Sequence, residues 1–383
     1  MIDKQIILSL LFCIHFTTNA QTDSRDSCRV FLPEVSYLGD FVSNLRGGIR
    51  TGTCYLGMVN IRISFSTEAA RLWKGGIFFI NGANTHGKEP SAKYIGDYQV
   101  TSNIEAGNHT FMQEIWYKQV WKRTEITFGL QDLNVDFAYT SNGGVFMNSS
   151  FGILPTISAN VPAPIFPMTS LGLSVKWLLS KKISLLTALF DGSPTDFKEN
   201  PHNLKWEFAK GNGLLFFTEL QHETVIDGLP GKFKSGIYFH QHVFAEDDHD
   251  GDRDSVYRNN NGFYFLGDQM LWQSRDGSRN FGIFMQLGLS PKKLNTNFYF
   301  AGIGVNFSGL FSQQGDDVLG LAVAHDGLRG GTGKETILEL MYQFPVCSIL
   351  FLQPDMQYVI NPAGTGKQLD NCLAISLRFG LNL

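Results

Sequence analysis

Leu373-Ala374-Ile375-Ser376-Leu377-Arg378-Phe379-Gly380-Leu381-Asn382-Leu383 closes the chain. Every second residue is large and apolar, and the residues between are small or polar. A period of two with one apolar face is the signature of a β-strand. Ala374, Ser376, Arg378, Gly380 and Asn382 form a face that carries no large aliphatic side chain. A soluble sandwich turns its apolar face inward, whereas a membrane barrel turns it toward lipid and keeps the polar face inside.

The same pattern recurs upstream. Ile61, Ile63 and Phe65 form one stripe, and Ile126, Phe128 and Leu130 another. Further stripes run through Leu171 to Leu179, Phe281 to Leu289, Tyr299 to Phe307, and Leu319 to Val323. Centres fall near residues 61, 79, 98, 116, 128, 175, 187, 217, 237, 266, 285, 302, 321, 340, 355 and 378. That makes about sixteen strands, an even number as single-chain bacterial barrels have. Short connections at 181–182, 227–231 and 275–280 alternate with longer ones at 191–213 and 245–262. The expected fold is therefore all-β, a transmembrane antiparallel barrel. Its longest connection, residues 132–170, contains Phe137, Phe146 and Phe151 as well as four prolines. That loop is too aromatic for a disordered tract and is expected to fold into the lumen.

Composition agrees. The chain has 383 residues, 43% hydrophobic and 17% charged, with 40 Gly and 32 Phe. Soluble domains carry about 25% charge. Mean hydropathy is −0.06, and no segment past the N-terminus offers the roughly 18 apolar residues of a membrane helix. A net charge of −4 gives no basic footprint for nucleic acid. Residues 1–20 read as a signal peptide, with an apolar run from Ile6 to Phe16 and the small pair Thr18 and Ala20 before the cut. Residues 21–53 are then expected to be an N-terminal periplasmic segment and 54–383 the barrel. Of the cysteines left after cleavage, strand parity puts Cys28, Cys54 and Cys347 at the periplasmic rim and Cys372 at the outer rim. Any bridge is expected to join two of the first three, because Cα atoms must come within about 7 Å.

Several motifs bear on chemistry. Gly330-Gly331-Thr332-Gly333-Lys334 and Gly364-Thr365-Gly366-Lys367 lack the leading Gly and the Ser/Thr of a phosphate loop. The two commonest hydrolase motifs, G-x-S-x-G and H-E-x-x-H, are absent from the chain. His240 and His242 share a strand face, which suits a metal or a wet lumen equally. Asp248, Asp250, Asp252 and Asp254 flank Gly251 in an acidic loop that offers carboxylates to calcium, or to lipopolysaccharide through divalent ions. No other cofactor is expected.

Trp73-Lys74-Gly75-Gly76, the Phe146-Met147-Asn148-Ser149-Ser150-Phe151 loop, the run Gln353-Pro354-Asp355-Met356-Gln357-Tyr358-Val359-Ile360-Asn361-Pro362, and Leu377-Arg378-Phe379 resemble the carbohydrate-selective porins of the OprB family. The likeness runs from about Leu38 to Leu383. It implies a sixteen-stranded bacterial outer-membrane barrel with an inward constriction loop, and passive uptake of glucose-like monosaccharides and small oligosaccharides rather than catalysis. The partners implied are a carbohydrate, outer-membrane lipid and lipopolysaccharide, with the barrel a monomer or a homotrimer. Two other readings are an exported β-barrel protein that binds glycans, and an outer-membrane lipid hydrolase, for which no nucleophile and base can be assembled. Alternation sends Asn60, Arg62, Glu339, Gln353, Asp355, Gln357 and Arg378 into the pore, with Glu114, Trp116 and Lys118 on the wall beside the loop. On this reading Arg62 and Arg378 donate to sugar hydroxyls, Glu339 and Asp355 hold them, and Trp116 stacks on the sugar ring. Asp132, Phe137, Phe146, Asn148 and Phe151 are the constriction-loop residues.

Overall fold

A computed structural model describes residues 29–206, 213–245, 256–312, 314–330, 333–362 and 369–383. Sixteen strands close an antiparallel barrel. They are β1 (Phe31–Arg46), β2 (Gly52–Ser66), β3 (Gly76–Gly87), β4 (His109–Trp121), β5 (Thr124–Gln131), β6 (Ser170–Leu178), β7 (Ile183–Asp191) and β8 (Leu214–Ile226). Then follow β9 (Leu229–Ala245), β10 (Val256–Gln273), β11 (Asn280–Leu289), β12 (Asn297–Ser308), β13 (Val318–Leu328), β14 (Lys334–Cys347), β15 (Leu350–Ile360) and β16 (Cys372–Asn382). Each strand pairs with its sequence neighbours, and β16 returns to β1 with Phe41 opposite Leu377 and Asp40 opposite Arg378.

Phe31 and Leu383 lie at one rim, where the turns between β4 and β5, β8 and β9, and β14 and β15 take two residues each. The long connections 88–108, 132–169 and 192–213 leave from the other rim. Short turns are periplasmic and long loops external in outer-membrane barrels. Outward residues such as Ile61, Phe128, Ile303 and Leu377 are exposed. Trp73, Trp121, Trp177 and Trp272 are exposed beside the periplasmic turns, where indole rings bridge apolar and wet layers.

Two elements differ from expectation. The barrel wall starts at Phe31 rather than residue 54, so most of the supposed periplasmic segment is a full strand. Its alternation is blurred because Leu38 and Val42 point inward and are buried at 6% and 1% exposure. No strand forms near residue 98. A single π-helical turn, Ser91–Ile95, stands there and leads into an irregular inward stretch. The two errors cancel in the count, so strand parity from β4 onward is as expected. Cys54, however, now sits near the outer end of β2, across the barrel height from Cys347. Cys54, Cys347 and Cys372 are free thiols. Cys28 and the signal segment 1–20 lie outside the described residues.

The lumen is filled along β7 to β14. Loop 132–169 carries two one-turn helices, α1 (Ser149–Gly152) and α2 (Pro155–Ser158). Phe146, Phe151 and Ile157 bury against inward-facing Phe217, Tyr238, Phe284 and Phe300 in one apolar core. Glycines make the room: a Cβ on Gly320 would meet the Phe146 ring at 2.7 Å, and one on Gly304 the Phe284 ring at 2.4 Å.

Candidate functional site: the lumen wall and its two inward loops

Inward carboxylates along the wall receive consecutive backbone amides of the loops. Glu219 on β8 accepts from Ala138 N at 2.9 Å, and Asp268 on β10 from Ser141 and Asn142 N at 2.9 and 3.0 Å. Glu339 on β14 takes Met147 and Asn148 N at 2.5 and 3.0 Å. Glu335, two residues earlier, takes Tyr98 and Gln99 N. These bonds satisfy loop amides that the dry interior would otherwise strand.

A second loop, residues 88–108, therefore also enters the lumen. The two loops join through Asn103 N to Met147 O at 2.8 Å and Ser149 N to Val100 O at 2.9 Å. Val100 and Ala138 hold positive φ angles of 58° and 57°, a costly conformation for residues with a Cβ. The Val100 carbonyl and the Ala138 amide make two of the bonds just named, which keep both residues in place.

Glu339, Gln353 and Gln357 do face inward, yet they are 0%, 1% and 0% exposed. They are the bed of the loops rather than open wall. Gln353 donates to Val145 O, and Gln357 bonds Asn148 Nδ2 and Thr101 O. Arg378 is also inward, but Glu339 does not hold it. Its Nε and Nη2 donate to the two oxygens of Asp40 on β1 at 2.8 Å each, and Nη2 also reaches Asn103 Oδ1. Ser102 Oγ completes Asp40 at 2.7 Å. Asp355, which accepts from Gln357, and Asn60 are nearly buried as well.

Among the loop residues, Asp132 clasps both ends of the loop to the wall. It accepts from Asn134 N, from Phe166 N, and from Gln113 of the wall, all within 3.0 Å. Asn148 caps α1 through Ser150 N. Phe137 rests edge-on against Phe217, and Phe146 and Phe151 against Phe284. All three rings are buried and seat the loop, and Phe137 also borders a small cleft toward the opposite wall. Burial raises the carboxyl of Asp132 to about 6 against the opposing hydrogen bonds. Burial, with the charge of Asp97 adding to it, raises Glu105 to about 7.

On the opposite wall, β2 to β6, Arg62, Phe79 and Trp116 keep partial exposure, whereas Glu114 and Lys118 are buried at 7% and 6%. Phe79 and Trp116 stack with centroids 4.7 Å apart at 23°. Trp116 Nε1 donates to Glu114 at 3.1 Å, and Lys118 Nζ lies 5.2 Å from the Trp116 ring. Arg62 is half-buried and reaches Ser36 Oγ at 3.4 Å. Lys176 and Glu125 pair at 3.6 Å. A cleft beside them is lined by Lys118, Glu125, Thr127, Ser174 and Lys176 on the wall and by Asp136 and Phe137 on the loop. Arg62, Glu114, Trp116 and Lys118 all lie on the inward face where strand parity places them. Sequence reading missed Asp40, Glu219, Asp268 and Glu335; their one signal was an acid standing on the inward parity of its strand. His240 Nε2 contacts Gly192 O at 2.6 Å. The side chain of His242 and the carboxylates at 248, 250, 252 and 254 lie outside the described residues.

The family model "Carbohydrate-selective porin, OprB family" matches residues 50–383. Porin B of Pseudomonas aeruginosa is 22% identical, over 90% of this chain and 86% of its own. The high-pH structure of Pseudomonas putida OprB superposes with a TM-score of 0.84 at 18% identity, covering 92% of this chain and 94% of that one. The low-pH structure of the same protein gives 0.60 at 16% identity over 92% of each.

Proposed function

The chain belongs to the OprB family of carbohydrate-selective porins, and from that premise we propose that sugars cross along the β2–β6 side of the lumen. The protein is an outer-membrane channel for passive diffusion of carbohydrates. On our reading it is no enzyme: its task is weak, reversible binding, so that entry is favourable and exit stays fast. The observation that carries the route is the Phe79–Trp116 stack between Arg62, Glu114 and Lys118. A pyranose presents an apolar face to aromatic rings and hydroxyls to charged groups. Loop 132–169 narrows the passage from the other side, and glucose-like monosaccharides and small oligosaccharides are the cargo. A liposome-swelling series with sugars of rising size tests this. Swelling that falls off beyond small oligosaccharides, with current through single channels blocked by glucose, is the expected result. Equal swelling with large dextrins would refute the narrow passage.

A further inference from the structure

Three neighbouring turns of the periplasmic rim carry almost one sign of charge. They join β2 to β3 (67–75), β4 to β5 (122–123) and β6 to β7 (179–182). Arg71, Lys74, Lys122, Arg123, Lys181 and Lys182 are all exposed there, and Glu68 is the one carboxylate of the three turns. Among the described residues none of these cations forms an ion pair. The nearby acids Glu125 and Glu223 are taken by Lys176 and Lys232 at 3.6 and 3.8 Å. The remaining turns of this rim are different. They set Asp227, Asp276, Asp316 and Asp317 against Arg275 and Arg279. The rim is therefore lopsided, basic under β2 to β7 and mixed to acidic elsewhere.

The basic turns form a fixed platform. Each is tied to the next strand by a backbone bond: Val120 N to Gly75 O at 2.7 Å, Leu178 N to Arg123 O at 2.8 Å, and Glu223 N to Lys182 O at 2.8 Å. With strands about 4.8 Å apart, the platform is on the order of 20 Å long. Trp121 ends β4 and Trp177 stands one residue before the end of β6. The indole layer of the membrane boundary thus comes first, and the cations lie beyond it in periplasmic water. Cations held this close repel one another until an anionic surface joins them. A free anion is too small to span three turns. The cell-wall polymer and anionic lipid repeat on every side of the barrel, so neither matches cations held to one side. A folded protein with one acidic face does match, because the acidic turns repel it from the wrong orientation. We propose that this arc docks the acidic face of a soluble periplasmic protein. Lys122, Arg123, Lys181 and Lys182 are the centre of the contact, with Arg71 and Lys74 at its edge.

The test uses the full barrel in phosphatidylcholine nanodiscs, which hold no anionic lipid. Poly-L-glutamate is the probe for an acidic polypeptide, read by biolayer interferometry. The wild type should bind it, and Lys122→Glu/Arg123→Glu/Lys181→Glu/Lys182→Glu should bind it roughly tenfold or more weakly. Arg275→Glu/Arg279→Glu, on the acidic side of the rim, should bind like wild type. Unchanged sugar block of the channel current reports that both variants are folded. In cells, Leu72→p-benzoylphenylalanine, at a position 61% exposed on the first turn, should crosslink to a soluble protein. Once purified, that protein should bind wild-type nanodiscs, and amidating its carboxylates or using the quadruple variant should abolish binding. Equal poly-L-glutamate binding by the quadruple variant and wild type, an equal loss in Arg275→Glu/Arg279→Glu, adducts to murein or lipid alone, or undiminished binding of the amidated partner each overturns the proposal; the last two need no charge variant.

Discussion

Arg378 and Arg62 face the same lumen, but their surroundings assign them different work. Arg378 is 5% exposed and held through Nε and Nη2 by the two oxygens of Asp40, whereas Arg62 is half open. Removing one partner of a buried pair leaves an uncompensated charge, at a cost of about 3–5 kcal/mol. Asp40→Ala should therefore lower the thermal unfolding midpoint of the detergent-solubilised barrel clearly, and adding Arg378→Met should restore part of the loss. A double variant no more stable than Asp40→Ala alone would show that the pair is not coupled. Parity of the Leu377 stripe made Arg378 legible as inward, but its partner was not, because Asp40 lies in the strand taken for a periplasmic tail. Glu105 adds a pH dependence. Burial raises its carboxyl from 4.5 to about 7, so docking of loop 88–108 is fully favoured below the unfolded value and weakens as pH rises through the folded one. Amide-exchange protection across 91–105, corrected for intrinsic rates, should fall between about pH 5 and about pH 8. Glu105→Gln should flatten that profile.

At the scale of elements, the stripes that face bulk lipid on one side were readable, and the elements touching the filled lumen were not. β1 hides its period because Leu38 and Val42 join the same apolar core as Ile95 and Ile104 of the inward loop. Conversely, Asp97 to Thr101 alternates like a strand yet bonds across to Glu335 and Gln357. Loop 132–169 was legible from its length and its aromatics, although the reason those aromatics are there is anchorage. Its latch is the pair of amides on Glu339. A net hydrogen bond contributes about 0.5–1.5 kcal/mol, and a buried amide left without its partner costs about 1–3 kcal/mol. Glu339→Ala should accordingly free the middle of the loop and turn a steady single-channel current into one that flickers to higher levels. Deleting residues 142–160 removes the obstruction outright, and conductance should then rise several-fold. A correctly folded deletion with unchanged conductance would mean that loop 88–108 alone sets the width.

Across the whole molecule the lumen divides into a half packed by apolar rings and a half where several polar and aromatic side chains keep partial exposure. From β7 to β14 the inward face carries Phe190, Phe217, Tyr238, Phe284 and Phe300, all buried under the loop. From β2 to β6 it carries Arg62, Phe79, Trp116, Lys118 and the Glu125–Lys176 pair. The proposed route follows the second half, so function should be concentrated there and stability in the first. This separates Arg62 from Arg378, to which the sequence reading gives one shared role. Trp116→Ala removes a ring whose aromatic contacts contribute about 0.5–1.5 kcal/mol, so the sugar concentration that half-blocks the ion current should rise several-fold. Arg62→Ala removes a fixed cation from the passage, and the zero-current potential in a salt gradient should move toward cation preference. Arg378→Met, sealed beneath loop 88–108, should leave both the sugar block and the ion preference within about twofold of wild type while lowering stability. If Arg378→Met changes the block as much as Trp116→Ala does, the path runs past β16, and the wall at β2–β6 is not the route.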